Sequence, residues 1–143
     1  MQAWLANRWL RSHRTSRDEI HALLAVADRD IHDATVHGVS ADSRHGFAYN
    51  AALQLAHAAL AASGYRAARD GHHERTINSL PLTVGLDARS VRRLDAARKR
   101  RNRAEYDAAG LISEGETAEV LALARALRQR VEEWLRAEHP DLW

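Results

Sequence analysis

The chain has 143 residues, of which 45% are hydrophobic and 6% aromatic, and its formal net charge is +2. This length is typical of a single domain around one hydrophobic core, so we assign residues 1–143 to one domain. The chain has no cysteine, which excludes disulfide bonds and thiolate metal sites, and nothing in it predicts a bound metal or another cofactor. It also has no signal-peptide pattern and no apolar stretch of about 20 residues, so we expect a cytoplasmic protein without a membrane partner.

Helical patterns begin near the N-terminus. Residues 4–10 combine tryptophan and leucine and predict a short N-terminal helix packed on the main structure. Ser16 and Glu19 have the spacing of a capping box, and apolar residues then recur at helical spacing until Gly38. These features predict a short helix followed by a long amphipathic helix.

The middle of the chain is rich in alanine. A second long helix is predicted from Ser40 or Asp42 to Gly64, and its alanines would allow a neighbouring helix to approach closely. A shorter helix is predicted over residues 72–80. We expect it to break around Pro81, because proline lacks a backbone donor and disfavours helix in the preceding residue.

Two more long helices are predicted in the C-terminal half. Asp87 can cap a helix that ends by Gly110, and Ser113 with Glu116 forms a second capping box before a helix that runs to His139. Because the connections are short, sequential helices should run antiparallel. The sequence therefore predicts an all-α fold, an antiparallel bundle of four main helices with one or two short additional helices.

A cationic segment spans residues 89–103. It contains eight basic residues and one acid, Asp95, whereas the whole chain carries only +2, so the rest of the chain is net negative. A cationic segment on an otherwise acidic molecule indicates a polyanionic partner such as RNA or DNA. The basic residues are Arg89, Arg92, Arg93, Arg98, Lys99, Arg100, Arg101 and Arg103.

Helical geometry divides these cations between two faces. At 100° per residue, Leu94 and Ala97 lie on the apolar stripe of the helix and Arg101 falls in the middle of that stripe. We therefore expect Arg101 to be more than a solvated charge. The cations predicted to face solvent are Arg92, Lys99 and Arg103.

Other polar residues accompany Arg101. Asn102 and Tyr106 flank the apolar stripe, and Glu105 lies one turn after Arg101. All four side chains should group near a groove between helices. The structural interpretation is an Arg101–Glu105 ion pair that joins two helices, and the functional interpretation is a binding or active site.

Several segments together resemble the HEPN superfamily of prokaryotic helical-bundle proteins. The resemblance covers about residues 16–135, and it rests on four strings in order: YNAAL from Tyr49, AALAASGYR from Ala58, HHERTI from His72 and RNRAEYD from Arg101. Active members of that family are metal-independent endoribonucleases that commonly form homodimers. Many are toxins or defence proteins encoded beside a small nucleotidyltransferase. The resemblance implies RNA as the substrate class, a homodimer, and such a nucleotidyltransferase as a partner.

The family motif is an arginine, a polar residue, three further residues and a histidine. Arg101 and Asn102 match its first two positions, and Tyr106 replaces the histidine. The resemblance thus implies Arg101, Asn102 and Tyr106 as catalytic residues, with phosphate bound by Arg101 and by Arg98, Lys99 and Arg103. Tyrosine, with an ordinary pKa near ~10, is a poorer base at neutral pH than histidine, which has one near ~6.5.

Two histidines are candidates for supporting this site. His72 and His73 could stand in for the missing motif histidine, together with Glu105, or they could simply form a polar loop and helix start. Asp28 and His32 share a spacing that suits two metal ligands, but no third ligand follows at matching spacing, so no metal site is predicted.

Two alternatives belong to other functional classes. Residues 80–94 resemble the turn and recognition helix of a helix-turn-helix, in which Arg89, Arg92 and Arg93 would enter the DNA major groove, although Pro81 interrupts the helix before the turn. The second alternative is a non-catalytic HEPN-type partner protein that dimerises and binds a nucleotide or an acidic protein through the same arginines.

Overall fold

The computed structural model describes residues 1–69, 71–106 and 110–143, with the side chains of residues 105 and 106 excepted. The fold is all-α, as the sequence predicts, and β structure in the described residues is confined to two strands of three residues. The elements in chain order are α1 (Gln2–Ala6), β1 (Leu10–Ser12), α2 (Arg17–Asp33), α3 (Ala41–Ala62), β2 (Tyr65–Ala67), α4 (His72–Asn78), α5 (Leu80–Thr83), α6 (Ala88–Tyr106), α7 (Glu114–Glu138) and a 3-10 helix (Pro140–Leu142).

Helix α3 lies at the centre of the fold. Its most extensive contacts are with α2 and α7, and it also touches α4 and α6. Alanines occupy much of its surface and are buried from Ala48 to Ala62, which lets the neighbouring backbones approach closely. The larger buried residues of α3 include Leu55 and Tyr49, both with no exposed surface. The side of α3 that borders any neighbouring site is therefore supported by a well-packed core.

Contacts between side chains define the helix directions. Asp30 of α2 accepts a hydrogen bond from Asn50 of α3, and earlier in α2 Glu19 lies within electrostatic range of His57, later in α3, so these helices run in opposite directions. Helices α6 and α7 also run in opposite directions, because Arg93 pairs with Glu119 and Arg100 pairs with Glu116. These pairs agree with the antiparallel neighbours that short connections predict.

The predicted helix starts are present. Ser16 and Ser40 accept backbone hydrogen bonds at the starts of α2 and α3, and Ser113 with Glu116 forms a complete capping box on α7. Asp87 accepts hydrogen bonds from both the backbone nitrogen and the hydroxyl of Ser90 at the start of α6. Local sequence therefore determines where the long helices begin.

The N-terminal segment differs from the prediction of a helix over residues 4–10. Helix α1 ends at Ala6, and Arg8 has a positive φ of 61°, which a continuing right-handed helix does not allow. Leu10 instead starts strand β1, which pairs antiparallel with β2 so that Leu10 lies opposite Ala67. The strand forms because it buries Leu10 against Leu60 and Ala67 in a small cluster beside the main core.

The region around Pro81 also differs in detail. Helix α4 ends at Asn78, two residues before the predicted end, and Pro81 lies in the first turn of a separate four-residue helix, α5. Proline fits there because backbone N–H groups in a first turn have no partner within the helix. Gly85 follows with a positive φ of 68°, and the chain then enters α6. A four-residue helix before this turn does not favour the helix-turn-helix interpretation.

Candidate nucleic-acid interface

Helix α6 is oriented as its sequence pattern predicts. Val91, Leu94 and Ala97 are buried against the core. The cations on the far side, at positions 92, 99 and 103, are exposed. Arg89 is exposed as well, and at 100° per residue it lies on the same side of the helix. We call the set Arg89, Arg92, Lys99 and Arg103 the basic face.

The basic face is long enough to contact several phosphates. Positions 89 and 103 are separated by about 21 Å along the helix axis at 1.5 Å per residue. Asp95, the one acid of residues 89–103, lies at the edge of this face, where its carboxylate is 2.9 Å from Arg98 Nε and 3.5 Å from Lys99 Nζ. The result is an extended row of positive charge in which Asp95 partly compensates Lys99.

Arg98, a predicted phosphate ligand, does not belong to the basic face. Its side chain is only 17% exposed, and its Nε donates a hydrogen bond to Asp95. It lies close enough to Tyr49 to affect the pKa of that phenol. Arg98 therefore packs between α6 and α3. Lys99 and Arg103 are the predicted phosphate ligands that face outward.

A first cavity of about 570 Å³ lies between α2, α3 and α6 and includes Arg101. Arg101 is half-buried, and its guanidinium carbon lies 5.6 Å from the centre of the Tyr49 ring. Burial raises the pKa of Tyr49 to about 12, and its hydroxyl has no hydrogen-bond partner within the described residues. The lining residues are Arg29, Asp30, Asp42, Ser43, Gly46, Phe47, Asn50, Arg101 and Ala104.

The first cavity has nearly balanced charge. Asp30 is 2% exposed, and its carboxylate accepts hydrogen bonds from Asn50 at 2.6 Å and from Arg29 at 3.1 Å. The Asp42 carboxylate accepts hydrogen bonds from the backbone nitrogens of Gly110 and Ile112. Among the described lining residues, arginines and aspartates therefore occur in equal numbers.

A second cavity of about 550 Å³ lies between α6 and α7 and includes Asn102. Its lining residues are Ala96, Lys99, Arg100, Asn102, Arg103 and Glu116. Arg101 and Asn102 were predicted to share one groove. The structure places them in different cavities, because consecutive residues of a helix point about 100° apart.

Arg100 is held from two sides at the second cavity. Its Nε donates to Nε2 of His45 at 3.4 Å and lies 3.6 Å from Oε2 of Glu116. His45 is fully buried, and burial, with the positive charge of Arg100, lowers its pKa from 6.5 to about 4. The imidazole is therefore neutral at pH 7, and its Nδ1 has no partner within the described residues.

His72 and His73, which were predicted to support the site, line neither of these cavities. The rings of His72 and His73 are 5.3 Å apart, and the His72 ring is 6.0 Å from that of His57. His57 follows Tyr49 by eight residues on α3, about 12 Å along the helix axis, and neither His72 nor His73 lines either cavity. Burial lowers the pKa of His72, and the positive charges of Arg66 and Arg11 lower it further.

Two predicted site residues lie partly outside the described structure. The backbone of α6 extends to Tyr106, but the side chains of Glu105 and Tyr106 are outside the described part. The Arg101–Glu105 ion pair and the role of Tyr106 therefore stay predictions. Among the residues that are described, no group of three or more His, Asp or Glu side chains is arranged to hold a metal ion.

Sequence reasoning did not single out Arg100, His45 or Glu116 as parts of one site. Two signals were available. Glu116 belongs to the capping box that fixes the start of α7, and His45 shares a face of α3 with the buried Ala48 and Ala52 at helical spacing. A histidine inside an alanine-rich buried stripe must find a polar partner, and here that partner is Arg100.

Comparison with known proteins gives no family assignment. No protein-family model matches the sequence, and no curated protein matches it significantly. Over the described ranges, none of the helices combines the length and apolar character required to span a bilayer. The functional interpretation therefore depends on the geometry of α6 and on the sequence resemblance.

Proposed function

We propose that the protein is an RNA-binding helical protein of the HEPN type and that the basic face of α6 holds the phosphate backbone. The observation that carries this proposal is the row of exposed cations at Arg89, Arg92, Lys99 and Arg103, in a segment outside which the residues of the chain are, taken together, net negative. Phosphate contacts release condensed counterions, so such a row binds nucleic acid with marked salt dependence. The motif string from Arg101 favours RNA over DNA as the nucleic acid.

Removing three charges from the basic face tests the proposal. In the triple variant Arg92→Gln, Lys99→Gln, Arg103→Gln, the salt slope of binding to single-stranded RNA should fall by about two units, at about 0.7 per lost contact. The same relation predicts a roughly 100-fold loss of affinity at about 0.1 M salt. Fluorescence anisotropy with a labelled RNA over a range of salt concentrations measures both quantities.

A matched variant separates location from net charge. Arg14, Arg17 and Arg125 are exposed and lie outside α6, so replacing all three with glutamine removes the same charge from other surfaces. We expect this control to keep the wild-type salt slope. Equal losses in both triple variants would contradict the proposal, because binding would then depend on overall charge alone.

Metal-independent RNA cleavage is a second candidate function. It is favoured by Arg101, which lies at an open cavity large enough for a nucleotide and not inside the core. In that role the guanidinium would hold the scissile phosphate, while Asn102 and Tyr106 would have to reach the same phosphate from other sides of the helix.

Cleavage has a simple assay. Wild-type protein in EDTA should convert RNA to products with 2′,3′-cyclic phosphate ends, and Arg101→Ala should abolish the reaction. The control is Arg125→Ala, which removes an exposed arginine of α7 and should leave cleavage unchanged. Persistent cleavage by Arg101→Ala would exclude this site.

The HEPN resemblance also implies partners. On this proposal the protein forms a homodimer and is controlled by a nucleotidyltransferase encoded beside it. Sedimentation of the purified protein tests whether it is a homodimer, and the identity of the adjoining gene tests whether a nucleotidyltransferase is encoded there. A monomer without such a neighbour would favour an RNA-binding protein outside the toxin class.

A further inference from the structure

The second cavity has a strong excess of positive charge. Lys99, Arg100 and Arg103 all line it, and Glu116 is the one acidic residue among its described lining residues. The Glu116 carboxylate already accepts a hydrogen bond from the Ser113 backbone nitrogen at 3.0 Å, and that hydrogen bond lowers its pKa. Glu116 offsets one of the three cations, so the described lining keeps a net positive charge that favours an anion in the cavity.

The Arg100 side chain is held in position by contacts within the protein. It is 15% exposed, and its Nε is directed at His45 and Glu116. Contacts at Nε restrain the plane of the guanidinium, whose two terminal nitrogens carry its other N–H donors, and Arg100 is one of the residues that line the cavity. A guanidinium with a fixed plane loses less conformational entropy when it binds a phosphate through two parallel hydrogen bonds.

We propose that the second cavity binds a terminal phosphate monoester of RNA, with Arg100 as its central ligand and Lys99, Asn102 and Arg103 around it. This inference rests on the proposed function, because the basic face would carry the RNA chain to the cavity. A monoester carries close to two negative charges at pH 7, whereas an internal phosphodiester carries one, so the net charge of the cavity suits a chain end. The first cavity, whose described lining has equal numbers of arginines and aspartates, does not offer this excess.

The matched control for Arg100 is Arg93. Both arginines belong to α6, and each pairs with a glutamate of α7, but Arg93 does not line the second cavity. Arg93→Gln therefore removes the same charge and a comparable interhelical ion pair. Because Arg100 also contacts His45, the effect that reports on the cavity is a lost preference for a terminal phosphate in a folded Arg100→Gln protein, with the preference kept in Arg93→Gln.

The experiment compares three RNAs of one sequence, with a 5′-phosphate, with a 3′-phosphate, or with hydroxyls at both ends. The wild type should bind one phosphorylated RNA about tenfold more tightly than the hydroxyl RNA, as expected for a charge-assisted bidentate contact. Arg100→Gln should remove this preference, and Arg93→Gln should keep it. The two phosphorylated RNAs identify which end the cavity takes.

Several results would overturn the inference. Equal affinity of the wild type for all three RNAs would mean that only internal phosphates are bound, and a preference that survives in Arg100→Gln would place the phosphate elsewhere. If Arg100→Gln fails to fold, Asn102→Ala removes a donor from the same cavity and should weaken the preference. An unchanged preference in that variant would count against the cavity.

Calorimetry with inorganic pyrophosphate separates the two proposals. Pyrophosphate is too small to extend along the basic face, so it should bind the wild type and Arg93→Gln but not Arg100→Gln. Pyrophosphate binding without RNA binding would retain the anion cavity and refute the RNA-binding function. RNA binding without any effect of a terminal phosphate would retain that function and refute the inference.

Discussion

Acidification from pH 6.5 to about pH 4 should lower the free energy of unfolding by about 3 kcal/mol through His45 alone. Burial and the positive charge of Arg100 are the main causes of its low pKa in the folded protein, and Arg101 adds to them. Glu116 and Asp42 act in the opposite direction but do not compensate. Protonation would place a charge in the core between two arginines.

The loss of stability at low pH follows from the difference in proton uptake between the unfolded and folded states. Between the unfolded pKa of 6.5 and the folded pKa of about 4, the unfolded chain binds a proton at His45 and the folded protein does not. The stabilising contribution is complete above pH 6.5 and is lost as the pH falls through this window. Urea unfolding at several pH values between 8 and 4 measures the loss.

The variant His45→Leu isolates this histidine from His57 and His72, whose pKa values are also lowered. It removes the titrating group from a buried position, so its stability should depend on pH less steeply than that of the wild type. His37 is exposed, and His37→Leu should keep the full acid dependence. Identical pH profiles for His45→Leu and the wild type would show that His45 is charged or solvated in the folded protein.

The long helices could be predicted from sequence because their signals are local. The serine caps at positions 16, 40 and 113 each lie within three residues of the group that they satisfy, and apolar spacing then defines the buried side. For the same reason the outward direction of Arg92, Lys99 and Arg103 was predictable. Local geometry thus determined both the basic face and the half-buried position of Arg101.

The division of the polar residues into two cavities depends on long-range packing. Arg101 and Asn102 are neighbours in sequence, and the pattern of α6 alone does not say which helix lies on each side of them. The position of α7, fixed in part by Arg100 and Glu116, closes the second cavity around Asn102. The contact between Arg100 of α6 and Glu116 of α7 joins residues 16 positions apart, so the local pattern of α6 does not reveal it.

Strand β1 illustrates the same limit. Its three residues, Leu10–Ser12, form a strand only because they pair with residues 65–67, more than fifty positions later. Residues 4–10 carry apolar side chains at spacings that fit a helix as well. The tertiary partner therefore decides the conformation, and local propensity does not reveal it.

The two sides of α6 permit separate tests of binding and cleavage. The basic face and the second cavity adjoin each other through Lys99 and Arg103, whereas Arg101 opens to the first cavity. Changes at the basic face should therefore reduce RNA affinity without altering the fold around Arg101. Changes at Arg101 should affect a reaction more than they affect the salt dependence of binding.

Leu55→Ala should destabilise the protein by about 3 kcal/mol, within the range of about 2–5 kcal/mol for buried leucines. Leu55 has no exposed surface and belongs to the helix that contacts α2, α4, α6 and α7, so its truncation leaves a cavity that few neighbours can fill. Leu111→Ala makes the same chemical change at a residue that is 56% exposed, and its effect should stay within about 0.5 kcal/mol. Urea denaturation at pH 7 compares the two variants. Similar losses in both would show that α3 is not the centre of the core, and the wall that α3 contributes to the first cavity would then lack the support described above.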